Sequence, residues 1–207
     1  MKKNQPVNFV VAILFSMTAV AQVPENLVVE GVPTHPAELQ ADAGRYLEFR
    51  AASFNSWHPT KRELLISTRF GDQAQLHEVK MPGGARRQLT FTPEPVGGGG
   101  WQPKHGRYLV FAQDSGGGEF YQYYRLDPDT GRITLLTDGK SRNGSGRFSK
   151  SGNQFAYTST RRTGRDTDVW VMNPAEPKTD RLLCELTGGG WRVCDWSADE
   201  SQLLLQA

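Results

Sequence analysis

The chain has 207 residues and a formal net charge of +2, from 24 basic and 22 acidic side chains. This balance excludes a global electrostatic field that would recruit nucleic acid or an anionic membrane. The length fits one modest domain with a real core. Two local basic runs, at 84–88 and 159–165, fall in predicted turns, where we expect solvated side chains.

The amino terminus has the pattern of a secretory signal peptide. Two lysines precede an apolar run at 9–15, and a small-x-small cleavage site ends at Ala21. The apolar run is too short for a stable membrane anchor. We therefore predict a signal peptide over 1–21, a mature start at Gln22, and a periplasmic or secreted protein.

Residues 22–56 form a predicted leader ahead of the repeats described next. Thr34 as a cap and Pro36 near the first turn predict a short helix that continues to about Tyr46. A strand then leads into Trp57. These residues do not indicate what the leader packs against.

From Trp57 onward the sequence repeats, and the repeat defines the predicted domain over 57–207. Each unit has an aromatic residue, a short polar turn, three strand patterns and a glycine-rich approach to the next aromatic. The four aromatic residues are Trp57, Trp101, Phe148 and Trp196. Their spacings of 44, 47 and 48 residues match the period of propeller blades. We predict an all-β fold: a partial β-propeller of three four-stranded antiparallel blades plus the start of another.

The glycine-rich segments, such as "VGGGGW" at 96–101, need a physical reason. Innermost strands of neighbouring blades converge, and glycine allows close backbone approach as well as turns with positive φ. A phosphate-binding loop is the rival interpretation, but no GxxxxGK[ST] motif follows and no helix pattern begins there. We expect the recurring aromatic to pack between blades rather than to stack on a ligand.

Several runs carry a resemblance to a known family. They are "VKMPGGARRQLTF", "GGGEFYQYYRLDPDTGRITLLTDGKSRN" and "STRRTGRDTDVWVMNPAEPKTDRLL". They resemble the propeller of exported bacterial S9 peptidases, the prolyl-oligopeptidase-like serine peptidases of the acylaminoacyl and dipeptidyl type. The repeat is also similar to TolB-like PD40 propellers. The peptidase resemblance implies an amino-terminal propeller followed by an α/β-hydrolase domain with a Ser, Asp and His triad.

The sequence departs from that family at the catalytic machinery. It contains no G-x-S-x-G, and its nearest imitation, "GKSRN", has Asn143 in place of the second glycine. It ends within the unit begun at Trp196, so we expect a fragment or truncated product of a larger protein. Two functions stay open: the non-catalytic, substrate-gating portion of an S9-type peptidase, or a TolB-like periplasmic module that binds a protein or ligand partner.

No metal site or cofactor is predicted. The histidines are His35, His58, His77 and His105. None lies at metal-ligand spacing from another His or Cys, and His58 and His105 fall in corresponding turns, where we expect solvation. Asp127 and Asp129 suggest a calcium loop, but the third acidic position and the later Glu are missing, which favours a turn between outer strands.

No catalytic residue is predicted either. The serines considered are Ser149, Ser151 and Ser159, and none has a companion His and Asp in a recognisable arrangement. Some dipeptidyl-peptidase propellers hold a substrate amino terminus with paired glutamates, whereas Glu119 stands alone. Cys184 and Cys194 fall on the last strand of one unit and the first strand of the next, so we expect no disulfide between them.

Overall fold

The computed structural model describes residues 27–33 and 36–207. The predicted signal peptide at 1–21 and the predicted mature start at Gln22 lie outside the described residues, as do Thr34 and His35. The chain divides into two compact units, Met1–Glu48 and Phe49–Ala207.

The first unit contains helix α1, Ala37–Leu47. Pro36 occupies the amino-terminal cap, and its carbonyl accepts the amides of Leu39 and Gln40. The predicted short helix is therefore confirmed, and it ends one residue beyond the predicted Tyr46. Within the described ranges, no helix is both long and apolar enough to cross a membrane.

The second unit consists of fourteen strands in four antiparallel sheets. Blade 1 contains β1 (Ser53–Trp57), β2 (Leu64–Thr68), β3 (Gln75–Val79) and β4 (Arg86–Gln88). Blade 2 contains β5 (Gly99–Trp101), β6 (Leu109–Gln113), β7 (Gln122–Asp127) and β8 (Arg132–Leu135). Blade 3 contains β9 (Asn143–Phe148), β10 (Phe155–Ser159), β11 (Asp168–Asn173) and β12 (Glu176–Cys184). Blade 4 contains β13 (Arg192–Trp196) and β14 (Leu203–Gln206).

Within every blade, each strand pairs with the next strand along the chain. This simple meander confirms the prediction of three four-stranded propeller blades and the start of a fourth. The strand predicted ahead of the repeats is β1, which belongs to blade 1. The first strand of each blade is its inner strand, the one that lines the central channel in a propeller.

The recurring aromatic residue ends each inner strand and packs against the preceding blade. Trp101 is 5% exposed in a cluster that joins blades 1 and 2. Phe148 and Trp196 occupy the same place between blades 2 and 3 and between blades 3 and 4. Burying one such side chain stabilises the fold by about 1.5–3 kcal/mol. Trp57 is 63% exposed, since no described blade precedes it.

The glycine prediction is correct for close approach at Gly99 and Gly146 and for positive φ at Gly188 and Gly190, but it does not explain the whole run at 97–100. A Cβ on Gly99 would lie 3.0 Å from Leu76 Cδ1 and 3.1 Å from Phe111 Cβ. A Cβ on Gly146 would collide with the Phe155 ring. By contrast, Gly97 and Gly100 have open space where a Cβ would be, and none of the four glycines at 97–100 has positive φ.

Turns of successive blades contact one another and hold the inner strands in place. His58, in the first turn, lies edge-on to Trp101 with ring centroids 4.8 Å apart, and a Cβ on Gly106 would enter its ring. The prediction of solvation is therefore wrong for His58, which is buried, whereas His105 is exposed. The corresponding turns of blades 2 and 3 are joined in a similar way, since the side-chain amide of Gln102 donates to the carbonyl of Ser151 at 3.3 Å.

In each complete blade, the first residue of the third strand is polar and buried, and its side chain forms hydrogen bonds with the loop that follows the outer strand. We call it the clamp residue. The clamp residues are Gln75, Gln122 and Asp168. The Gln75 amide donates to the carbonyl of Thr92 at 2.9 Å, and the Gln122 amide donates to the carbonyl of Ser141 at 2.7 Å. Each clamp fixes the loop that leads from the outer strand towards the next blade.

Cys184 and Cys194 are free thiols that lie on β12 and β13, in separate sheets. Their predicted places, on the last strand of one blade and the first of the next, are confirmed. Cys194 is the extra residue of a bulge in β13. A corresponding bulge interrupts β9 at Ser145 and Gly146.

Candidate functional site

Two clefts open between the inner strands. The glycine cleft lies between blades 2 and 3 and has a volume of about 710 Å³. Its defining residues are Gly97, Gly98, Gly99, Gly100, Tyr123 and Phe155. The arginine cleft lies between blades 3 and 4 and has a volume of about 560 Å³. Its defining residues are Arg142, Arg165, Arg192, Phe120 and Trp191.

The glycine cleft exists because β5 carries almost no side chains. Successive inner strands elsewhere contact one another, as β9 does with β13. Between β5 and β9, the four glycines at 97–100 leave the space unfilled, and the floor is formed by side chains of the strands behind. The run therefore does more than permit close packing, because a Cβ on Gly97 or Gly100 would enter open space.

One edge of β5 is available for hydrogen bonding. In the described part of the chain β5 pairs only with β6. The backbone amide of Gln102 donates towards β6, to the carbonyl of Tyr108. The backbone amide of Trp101 points to the opposite edge of β5 and donates to Ser56 Oγ at 3.4 Å. Because alternate residues direct their polar groups to opposite edges, the amide and carbonyl of Gly99 point away from β6.

The aromatic floor of the glycine cleft is rigid. The hydroxyl of Tyr123 accepts a hydrogen bond from the amide of Gly146 at 2.7 Å, and its ring packs edge-on to Phe155 with centroids 5.0 Å apart. Burial raises the pKa of Tyr123 to about 12, so the phenol is neutral at physiological pH. This residue can provide an apolar surface and a fixed wall, not an acid or base.

The arginine cleft concentrates positive charge. Three exposed guanidinium groups line it, and no Asp or Glu is among the described residues that do. Arg142 lies over the Phe120 ring at 5.2 Å and is 4.0 Å from the carboxylate of Glu119. The two remaining arginines, Arg165 and Arg192, form no ion pair with a described residue.

Two arginines in the same loop as Arg165 form ion pairs with aspartates of blade 3. Arg161 pairs with Asp180 at 2.7 Å and lies over the Trp170 ring at 4.2 Å. Arg162 donates two hydrogen bonds to the buried carboxylate of Asp168, both at 2.9 Å. The prediction of solvated side chains at 159–165 is therefore wrong for Arg161, which is partly buried. For Arg162 the predicted exposure is correct, although Asp168 fixes its guanidinium group. It is also correct for Arg165.

The serines considered from the sequence have structural partners. Ser149 Oγ lies 3.2 Å from Ser151 Oγ, and Ser151 Oγ donates to Glu200 Oε2 at 2.8 Å. Ser159 Oγ accepts the amide of Arg161 at 3.2 Å. Within the described residues, none of these hydroxyls has a histidine as hydrogen-bond partner.

The other sequence candidates lie apart from one another. His77 is fully buried, its Nδ1 is 2.9 Å from the carbonyl of Gln75, and burial lowers its pKa. The carbonyl of Asp127 accepts the amide of Gly131 at 2.8 Å in the turn between β7 and β8, which confirms a turn there. In the described ranges, no three His, Cys, Asp or Glu side chains group as a metal ion would require.

Sequence reasoning did not find either cleft. For the glycine cleft, the signal was the uninterrupted run at 97–100, which is longer than close packing of one residue demands. For the arginine cleft, Arg142 and Arg165 come from two separate loops, and Arg192 is the first residue of β13. Nothing in the linear sequence brings them together.

No family model matches the sequence. The chain is similar to the Tol-Pal system protein TolB of Francisella tularensis subsp. holarctica (strain OSU18), with 31% identity over 94 residues. That alignment covers 45% of this chain and only 21% of the relative. The chain therefore spans about a fifth of the length of this curated relative.

Two solved structures have a similar fold. TolB from Acinetobacter baumannii matches with a TM-score of 0.55 and 17% identity, over 75% of this chain and 37% of that one. A prolyl endopeptidase matches with a TM-score of 0.61 and 16% identity, over 80% of this chain and 28% of that one. At such identities the likeness establishes the fold. The chain is a partial propeller of the TolB-like kind, which is also the kind found in prolyl endopeptidases.

Proposed function

We propose that this chain is the substrate-gating propeller portion of an exported S9-type serine peptidase. In this role the propeller does no chemistry. It admits extended peptides through its channel to a hydrolase domain and excludes folded proteins by size. The hydrolase domain, with its nucleophile and its oxyanion donors, would be supplied by a longer form of the chain.

The glycine cleft is the observation that carries the proposal. An extended peptide needs a surface with backbone donors and acceptors and little side-chain bulk, and β5 offers both along one edge. The amide and carbonyl of Gly99 point towards that edge. The rings of Tyr123 and Phe155 supply an apolar floor that accepts side chains of different kinds. Backbone recognition of this type tolerates many peptide sequences, which a propeller that admits varied substrates requires.

Two further lines of support come from the sequence and from the structural neighbours. The predicted signal peptide at 1–21 and the predicted mature start at Gln22 support export. The resemblance to S9 peptidases covers nearly all of the predicted mature chain, and a prolyl endopeptidase is among the similar structures. The peptide partner of this chain would then be a substrate on its way to the hydrolase domain.

The test is labelling with a serine-directed fluorophosphonate, together with hydrolysis of chromogenic aminoacyl and dipeptidyl substrates. Acyl transfer by serine needs an activated nucleophile and oxyanion donors. We expect the 207-residue chain to show neither labelling nor turnover above buffer. A longer chain that continues into a hydrolase domain should show both. Stoichiometric labelling of a serine in the 207-residue chain would contradict the proposal.

A second candidate function is a TolB-like periplasmic binding module for a protein or ligand partner. The observation that favours it is the 31% identity to a TolB protein. The coding sequence downstream of residue 207 separates the two candidates. A G-x-S-x-G followed by Asp and His supports the peptidase, whereas further blades followed by a stop codon support the binding module.

A further inference from the structure

We propose that the arginine cleft is a carboxylate-binding subsite that gives the channel a preference for acidic peptides. The inference deepens the proposed function, since it rests on a peptide entering the channel. It adds the substrate class: peptides with Asp or Glu side chains that lie beside blades 3 and 4.

Uncompensated charge is the first argument. Arg165 and Arg192 face the cleft without a carboxylate partner among the described residues, whereas four of the eight other arginines of blades 2 and 3 have one. Arg125, for example, is 3.2 Å from Asp127, and Arg161 is 2.7 Å from Asp180. Guanidinium groups that converge without a protein partner attract an external anion, and they bind carboxylates through paired hydrogen bonds.

The surrounding acidic groups do not neutralise the cleft. Glu119 is 4.0 Å from Arg142, but its side chain is 75% exposed, so solvent weakens that pair. Asp166 is engaged elsewhere: it lies 3.6 Å from Arg162 and accepts the amide of Gly188 at 2.9 Å. The cleft therefore keeps a net positive charge.

The shape of the cleft fits a peptide side chain. Gly144, Gly164, Gly189 and Gly190 line it without bulk, and the rings of Phe120 and Trp191 form part of its wall. Ser145, in the bulge of β9, lines both this cleft and the glycine cleft. One extended peptide can therefore lie along β5 and reach the arginine cleft with a side chain further along its length.

A nucleic acid is the other polyanion to consider, and two observations disfavour it. The net charge of the chain is only +2, so the chain as a whole attracts a polyanion weakly. The volume of about 560 Å³ fits a few side chains rather than a phosphate backbone. An oligonucleotide nevertheless belongs in the test, as an outcome that would overturn the assignment.

The experiment measures fluorescence anisotropy of labelled peptides titrated with the 207-residue chain. The peptides are about eight residues long, roughly 26 Å when extended, and form a pair in which Asp and Glu are replaced by Asn and Gln. We expect the acidic peptide to bind about tenfold more tightly than the neutral one at low salt, with the difference shrinking as salt rises. The Arg165→Gln and Arg192→Gln double variant should remove that preference while still binding the neutral peptide.

The Arg132→Gln and Arg181→Gln double variant is the matched control, because both arginines are exposed on outer strands, β8 and β12, and their replacement removes the same two positive charges. It should leave both affinities unchanged, and circular dichroism should show all variants folded alike. Equal binding of the two peptides, or an Arg165→Gln and Arg192→Gln double variant that keeps the preference, would overturn the carboxylate subsite alone. If neither peptide bound, the proposed function as a propeller that admits peptides would be contradicted as well. Tighter binding of an oligonucleotide of equal charge would replace the peptide assignment.

Discussion

Replacing Gly146 with alanine is expected to destabilise the folded chain by about 3 kcal/mol, which corresponds to a fall in Tm of roughly 6–12 °C. The added methyl group would collide with the Phe155 ring and lie 2.7 Å from Cζ and Oη of Tyr123. Both rings are held by the packed core between blades 2 and 3, so they cannot move aside cheaply. The hydrogen bond from the Gly146 amide to Tyr123 would be distorted as well.

Gly100→Ala is the matched control for this variant. Gly100 is also on an inner strand, but no atom lies within 4 Å of where its Cβ would be. Thermal or urea denaturation should show it within about 0.5 kcal/mol of the unchanged chain. If Gly146→Ala were as stable as Gly100→Ala, the packing of β9 against blade 2 would have to differ from that described.

Replacing Asp168 with asparagine should cost about 2–3 kcal/mol at neutral pH. Asp168 is fully buried and accepts two hydrogen bonds from Arg162 and one from the amide of Leu186 at 2.9 Å. Asparagine keeps the shape but removes the charge that compensates Arg162. The loss is at the lower end for buried ion pairs because the Arg162 side chain is 30% exposed.

The pH dependence of this loss has a definite sign. Burial alone would raise the pKa of Asp168, but the hydrogen bonds from Arg162 and Leu186 outweigh it and hold the pKa below its usual range. The ionised carboxylate therefore stabilises the fold fully above the unfolded-state pKa of about 4, and this contribution disappears as the pH falls through the lower folded-state pKa.

Urea denaturation at a series of pH values checks both statements. The stability difference between the unchanged chain and Asp168→Asn should be constant near neutrality and shrink in acid. Asp129→Asn, at an exposed turn residue, should show no such difference. A gap that stayed constant into strong acid would mean that the charge of Asp168 contributes nothing to the fold.

The strand order and blade number could be predicted from the sequence because each blade is a local meander. Every strand pairs with its neighbour along the chain, so one repeat period fixes both the strands and their order. The aromatic residue that ends each inner strand, such as Trp101, marks that period. Its burial between blades follows from the same geometry.

Contacts between turns of different blades could not be predicted. His58 is buried because the turn of blade 2 closes over it at Gly106, some 48 residues further along the chain. Arg161 and Arg165 belong to one basic run, yet one pairs with Asp180 and the other faces a cleft. Residue type alone does not predict whether such a side chain is buried, paired or exposed, because this depends on the residues that lie opposite it in the folded chain.

The central claim is that the glycine cleft receives an extended peptide, and Gly100→Leu tests it most directly. A leucine at this position enters open space and fills the cleft, while Gly71→Leu places the same side chain on an exposed turn with no atom within 4 Å. The measurement is the affinity of the neutral eight-residue peptide for each variant, by fluorescence anisotropy. The account predicts a loss of about tenfold or more for Gly100→Leu and no change for Gly71→Leu, with both variants folded. Unchanged peptide affinity in folded Gly100→Leu would contradict it.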